Sequence, residues 1–110
     1  MAATLQKQLL IGARALIADR AAWTRGVFAR SEQGHSIAWD DSAARKWCAV
    51  GALRRTALDL VHDPEQAERI AGDVETAICR GRWLRSLVVL NDFSSHKRVL
   101  AFLDRVIERS

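Results

Sequence analysis

The spacing of apolar residues along the chain predicts helices over much of its length. Near the start, apolar residues recur every three or four positions, which predicts an amphipathic helix over residues 4–19. The same spacing recurs over 64–79, where Asp63 and Pro64 are well suited to a helix cap and a first helical residue. The segment from Val99 to Ile107 has the strongest apolar stripe and predicts the last helix.

The segment between residues 23 and 39 has a different pattern. The helical spacing is lost, and two short β-prone pieces, 27–30 and 35–39, flank a turn-forming stretch that contains Gly34. This pattern predicts a small β-hairpin. After it, residues that favour helix caps precede a renewed helical spacing, which predicts a second helix over 42–60.

The predicted fold class is mainly α, with α+β at the margin: a compact four-helix single domain over residues 1–110, with a small β-hairpin after the first helix. Residues 84–90 form a short apolar run that fits either a helix or a strand. The next four residues, 91–94, predict a turn that leads into the cap of the last helix.

Composition fits a soluble protein with one modest core. Of the 110 residues, 49% are hydrophobic and 27% are charged. No apolar run reaches the roughly 18 residues needed to cross a membrane, so we expect a cytoplasmic protein without a membrane partner. Cys48 and Cys79 lack the close spacing of a metal site or a disulfide framework, and we expect reduced thiols.

Charge permits nucleic-acid binding without favouring it. The net charge is +4, but it is divided into a basic start, an acidic middle and a basic end. The candidate nucleic-acid residues are Arg80, Arg82, Trp83 and Arg85. The same arginines also suit the end of a helix, where cations complement the helix dipole.

The segment from Lys46 to Leu53 contains the most informative local pattern. Glycine inside a helix costs about 1 kcal/mol relative to alanine, so Gly51 predicts a close approach by another part of the structure. In a helix, Cys48, Gly51 and Ala52 would form a groove of small side chains flanked by Trp47. The groove would take either a neighbouring element, with an inert buried thiol, or a ligand.

Together with Leu90-Asn91-Asp92 and the stripe over 99–107, this segment resembles a family of small bacterial and phage proteins known as a domain of unknown function. The resemblance covers most of the chain. It implies a compact, mostly helical fold and brings no activity. It marks as motif positions, and hence as candidate binding residues, Trp47, Cys48, Gly51, Asn91 and Asp92.

Catalysis by cysteine would use Cys48 as the nucleophile, His96 as the base, and Asn91 or Asp92 as the orienting group. The predicted position of Cys48 inside a helix argues against an activated thiol, because activation favours a helix N-terminus. We therefore lean against an enzyme.

Asn91 and Asp92 also fit a turn and a helix cap, or a pairing of Asp92 with Arg54 or Arg55. Neither a metal site nor a cofactor is expected, because His35, His62 and His96 fall on separate elements.

Three function classes remain open. The first is a protein-interaction or homo-oligomeric helical module, which the high tryptophan content favours. The second is a nucleic-acid-binding accessory protein that uses the segment from Arg80 to Arg85. The third is a small cysteine-dependent enzyme that uses Cys48 and His96.

Overall fold

The computed structural model describes residues 4–80 and 86–110. Within these residues the fold is mainly helical, with a three-stranded antiparallel sheet. The helices are α1 Leu5–Leu16, α2 Ala49–Val61, α3 Pro64–Cys79, α4 Leu87–Phe93 and α5 His96–Glu108. The strands are β1 Ala29–Ser31, β2 Ser36–Ile37 and β3 Ala44–Trp47. A short 3-10 turn, Arg20–Ala22, follows α1.

Each of these α-helices begins after a residue whose side chain accepts a hydrogen bond from a backbone amide of the first turn. Such caps satisfy amides that have no partner inside the helix. The capping residues are Thr4, Cys48, Asp63, Ser86 and Ser95. Local side-chain chemistry therefore supports the start of each of these helices.

The helix prediction was right for α3, whose bounds match, and for the apolar stripe that forms α5. The helix predicted over 4–19 ends at Leu16 instead, because Asp19 caps the 3-10 turn through the amide of Ala21. The count of four helices was wrong, since the described residues form five.

The predicted hairpin is confirmed as β1 paired with β2, but a third strand joins it. Strand β3 pairs antiparallel with β1 on the other side, with Ala29 opposite Trp47. The prediction of helix over residues 44–47 was therefore wrong. Ala44 and Trp47 are buried in this strand, and pairing with a distant strand outweighs the local helical spacing.

The predicted turn at 91–94 was also wrong. Residues 91–93 are the last residues of α4, and Ser95 alone provides the side-chain cap of α5. The described part of the apolar run, from Leu87 to Leu90, is helical.

Helix α2 lies at the centre of the fold, packed between α1 and α3, while α5 packs on α1. Its residues from Ala49 to Leu53 are buried. An ion pair between Arg14 and Asp104, 2.8 Å long, joins α1 to α5 at the surface. No helix in the described ranges is long and apolar enough to cross a membrane.

Candidate binding site around the fourth helix

Asn91 is a polar side chain on the inner face of α4, and it is fully buried. Its side-chain oxygen accepts hydrogen bonds from the indole Nε1 of Trp23 at 2.7 Å and from the amide of Ala49 at 3.0 Å. Its side-chain nitrogen donates to the carbonyl of Thr24 at 2.9 Å. Because a buried amide is costly unless it is paired, these bonds fix α4 against two distant segments.

One of these bonds caps a helix that is remote in sequence. Ala49 is the first residue of α2, and its amide has no partner within that helix. Asn91 is therefore a capping residue. The sequence pattern predicts that it caps the helix that follows it in the chain, but it caps α2 instead.

Asp92 lies beside Asn91 and accepts a hydrogen bond from the amide of Gly26 at 3.1 Å. Gly26 has a φ of 80°, a backbone conformation that residues other than glycine rarely adopt. The predicted alternative, a pairing of Asp92 with Arg54 or Arg55, does not form. Among the described residues those arginines pair instead with the carboxylates of α3 and of their own helix, Glu68 and Asp59.

Cys48 is the N-cap of α2, so its predicted position six residues inside a helix was wrong. Its Sγ accepts a hydrogen bond from the amide of Gly51 at 3.3 Å. Burial raises the pKa of the Cys48 thiol, and the carboxylate of Asp92 acts in the same direction, while the amides of Gly51 and Val50 oppose them. Within the described residues, Cys48 makes no hydrogen bond to His96.

Gly51 allows the close approach that its sequence context predicts. A Cβ at this position would lie far inside van der Waals contact with the carbonyl oxygen of Phe28. That same carbonyl accepts a hydrogen bond from the amide of Cys48 at 3.2 Å. The segment before β1 is thus pressed against the first turn of α2, and Gly51 is required for this packing.

The contacts of Asn91 with Trp23, Thr24 and Ala49 form a junction between α4, the loop before β1 and the start of α2. Trp23 connects this junction to the surface. The guanidinium of Arg25 lies over the ring of Trp23, 4.9 Å from the ring centroid. The ring centroids of Trp23 and His96 are 5.3 Å apart. The Nε2 of His96 donates to the carbonyl of Ile17 at 2.6 Å. His96 is therefore oriented by the end of α1 and by Trp23.

Trp47, another predicted binding residue, is buried in β3 and pairs with Trp23 through a single backbone bridge. Its indole nitrogen has no hydrogen-bond partner among the described residues. The guanidinium of Arg55 lies 6.0 Å from its ring centroid. The ring of Trp47 is therefore part of the hydrophobic core.

The outer face of α4 is apolar. Phe93 is 85% exposed and Val89, one turn earlier, is 45% exposed. On the neighbouring face of the helix, a cleft of about 140 Å³ opens between α4 and the segment before β1. Its lining is mostly apolar and comprises Gly26, Val27, Phe28, Cys48, Val88 and Asp92.

Sequence reasoning missed Val27, Phe28, Val88 and Phe93 as site residues. A phenylalanine in a predicted turn was the available signal for Phe93, because a turn offers little apolar contact. The others become recognisable only when the close approach implied by Gly51 is assigned to a particular segment.

The predicted nucleic-acid residues are mostly beyond what the structure describes. Arg80 follows the last residue of α3 and is exposed, while Arg82, Trp83 and Arg85 lie outside the described residues. In the described part of the chain, no group of three or more histidine, cysteine or acidic side chains is placed to hold a metal ion.

These features define a mainly helical protein whose central helix is clamped at its start by a small antiparallel sheet and by α4. The chain belongs to DUF6197, a family of unknown function, whose sequence profile matches residues 1–109. No curated protein and no solved structure matches it.

Proposed function

We propose that the protein is a self-associating interaction module, in which two copies pack through the outer face of α4. The observation that carries this proposal is the exposure of Phe93, 85%, directly beside an apolar cleft. An aromatic ring so exposed contributes little to the packing of its own chain. Large aromatic side chains are enriched in the cores of protein interfaces.

The cleft has a suitable size for this ring. A closed apolar cavity of about 150 Å³ in another protein binds benzene. The cleft beside α4 has a volume of about 140 Å³ and includes Val27, Phe28 and Val88 in its lining. The phenyl ring of a second copy is therefore a ligand of matching size and polarity.

The arrangement is also self-complementary. In a two-fold symmetric dimer, the same patch of both copies forms the interface, and each contact occurs twice. Phe93 and the cleft lie on adjacent faces of one short helix. The ring of each copy can thus enter the cleft of the other in a reciprocal exchange.

Charge does not oppose this contact. The charged group in the cleft lining is the carboxylate of Asp92, which accepts hydrogen bonds from the amide of Gly26 and the side-chain nitrogen of Asn91 and so keeps polar partners when a ring enters. Burial of one phenylalanine side chain contributes about 1.5–3 kcal/mol, and the symmetric pair contributes about twice that. Because association itself is costly, we expect a weak dimer with a dissociation constant on the order of 100 μM or above.

The other two function classes receive less support. Cys48 does lie at a helix N-terminus, the position that favours an activated thiol, but cysteine catalysis also requires an accessible thiolate, whereas Cys48 is buried and has a raised pKa. The nucleic-acid hypothesis depends on a segment that lies largely outside the described residues. Both stay predictions.

Sedimentation velocity over protein concentrations from about 10 μM to about 1 mM tests the proposal. We expect the sedimentation coefficient of the wild type to rise with concentration and that of Phe93→Ser to stay at the monomer value. Leu60→Ser is the matched control, because Leu60 is a 49% exposed leucine on α2, and it should associate like the wild type. A wild type that stays monomeric throughout, or a Phe93→Ser variant that still associates, would overturn the proposal.

A further inference from the structure

A second cavity, of about 270 Å³, lies between the 3-10 turn, the loop that follows it and the start of α5. It shares no lining residue with the cleft beside α4. Its lining contains three permanent cations and no carboxylate. The residues are Arg20, Trp23, Arg25, Ser95, His96 and Lys97.

The three cations have no ion-pair partner in the described structure. Arg20, Arg25 and Lys97 take part in none of the ion pairs among residues 4–80 and 86–110. The acidic residues nearest to them in sequence, Asp19 and Asp92, accept hydrogen bonds from backbone amides. Three cations without an ion-pair partner, around a cavity with no carboxylate in its lining, create a positive potential that favours an anion.

Arg25 is held in place for such a role. Its guanidinium donates to the carbonyl of Ser94 and lies over the ring of Trp23. A guanidinium that is fixed in this way loses less conformational entropy when it binds an oxyanion, and its planar geometry suits phosphate.

The aromatic residue of the cavity does not provide an open stacking surface. The ring of Trp23 already contacts Arg25 and His96, and its indole nitrogen donates to Asn91. Recognition here therefore depends on charge and hydrogen bonding, and not on stacking of a nucleobase, which single-stranded nucleic-acid sites commonly use.

We propose that this cavity binds the phosphate group of a small phosphorylated molecule, with Arg20, Arg25 and Lys97 as the cationic ligands. The volume is far above the roughly 10–15 Å³ that one water molecule needs, so a hydrated phosphate group has room. The start of α5 does not make the site by itself, because the hydroxyl of Ser95 already caps the amide of Arg98. The cations are confined to one concave site, whereas a nucleic-acid backbone needs contacts along a surface.

Titration of inorganic pyrophosphate, followed by two-dimensional ¹H–¹⁵N NMR at low ionic strength, tests this site. We expect saturable shifts of the Trp23 indole signal and of the amides of Ser95, His96 and Lys97. The double variant Arg20→Gln/Lys97→Gln should bind pyrophosphate at least about tenfold more weakly, because it loses two charged ligands. Neither side chain has a hydrogen bond or ion pair within the described structure, so we expect this variant to fold.

The matched control is Arg69→Gln/Arg105→Gln, which removes the same charge from exposed positions on α3 and α5. It should bind like the wild type. An equal loss of affinity in the control, or shifts that do not saturate, would show that only the net charge attracts the anion and would overturn the proposal. So would tighter binding of a mixed-sequence RNA oligonucleotide with shifts spread beyond the cavity, because that result would assign the surface to nucleic acid.

Discussion

Two residues of α4 depart from the usual distribution of polar and apolar side chains, one on each face of the helix. On the inner face, Asn91 is fully buried although its side chain is polar. On the outer face, Phe93 is the most exposed residue although its side chain is apolar and aromatic. The inner residue has hydrogen-bond partners on two other segments. The outer residue leaves its ring largely in solvent.

This contrast separates what folding explains from what it does not. Asn91 is polar because a helix start and a loop present buried groups that need partners, so the fold of one chain accounts for it. The packing of one chain does not account for Phe93. The inner face should therefore control stability, and the outer face should control association.

Replacement of Asn91 by alanine should have the largest effect. It leaves the buried amide of Ala49 and the half-buried indole of Trp23 and carbonyl of Thr24 without this partner, and an orphan of this kind costs about 1–3 kcal/mol when it is fully buried. We expect a loss of about 3–5 kcal/mol in the free energy of unfolding, measured by urea denaturation. Ser95→Ala, which removes an ordinary local cap, should cost only about 1 kcal/mol. Equal losses in the two variants would contradict the role of Asn91 as a junction.

Substitutions at Gly51 and Gly72 test the close approach of the Phe28 segment to the first turn of α2, with Gly72 as the control. Gly51→Ala forces a methyl group against the carbonyl of Phe28, and we expect a loss of about 1–3 kcal/mol or more. Gly72 lies on the exposed side of α3 with no neighbour around its would-be Cβ, so Gly72→Ala should stabilise by about 0.5–1 kcal/mol. Thermal denaturation of both variants measures the difference in sign. A neutral Gly51→Ala would mean that the Phe28 segment is not pressed against α2.

The thiol of Cys48 adds a smaller, pH-dependent effect on the inner side. Its pKa in the folded protein is raised, chiefly by burial, so its contribution to stability is complete below the pKa of the unfolded thiol. This contribution should decline as the pH rises above about 8.5, where the unfolded thiol ionises.

Urea denaturation across this alkaline range, compared with Cys48→Ala, isolates the effect. The wild type should lose stability more steeply than the variant as the pH rises. In a separate check, iodoacetamide should modify native Cys48 more slowly than the partly exposed Cys79. Fast modification of Cys48 at neutral pH would restore the cysteine-enzyme hypothesis.

Phe93→Ser should have the smallest effect on the stability of the single chain. Because the ring is 85% exposed, we expect a change within about 0.5 kcal/mol when the protein is dilute enough to be monomeric. Urea denaturation at low concentration gives this value. A loss comparable to that of Asn91→Ala would show that the outer face also holds the fold together.

The features that the sequence predicts well are those determined within a few residues. Helix α3 follows from the cap at Asp63, the proline after it and a continuous apolar stripe. Gly51 likewise predicts a close approach, although not the identity of the approaching segment, Phe28.

The features that sequence reasoning missed depend on partners far apart in the chain. Residues 44–47 become a strand through pairing with β1, and this moves Cys48 from a predicted helix interior to a helix start. Asn91 has partners 42 to 68 residues away, so no local pattern identifies the helix that it caps.

The central claim is that the Phe93 ring of each copy enters the cleft of the other copy. A mixing experiment tests this claim most directly. Phe93→Ala removes the ring and keeps the cleft, whereas Val88→Trp fills the cleft and keeps the ring. Each variant alone should sediment as a monomer, because both reciprocal contacts are lost. An equimolar mixture restores one ring in one open cleft, and we predict a heterodimer weaker than the wild-type dimer. A mixture whose sedimentation coefficient does not exceed that of either variant alone, even at the highest concentration tested, would contradict the account.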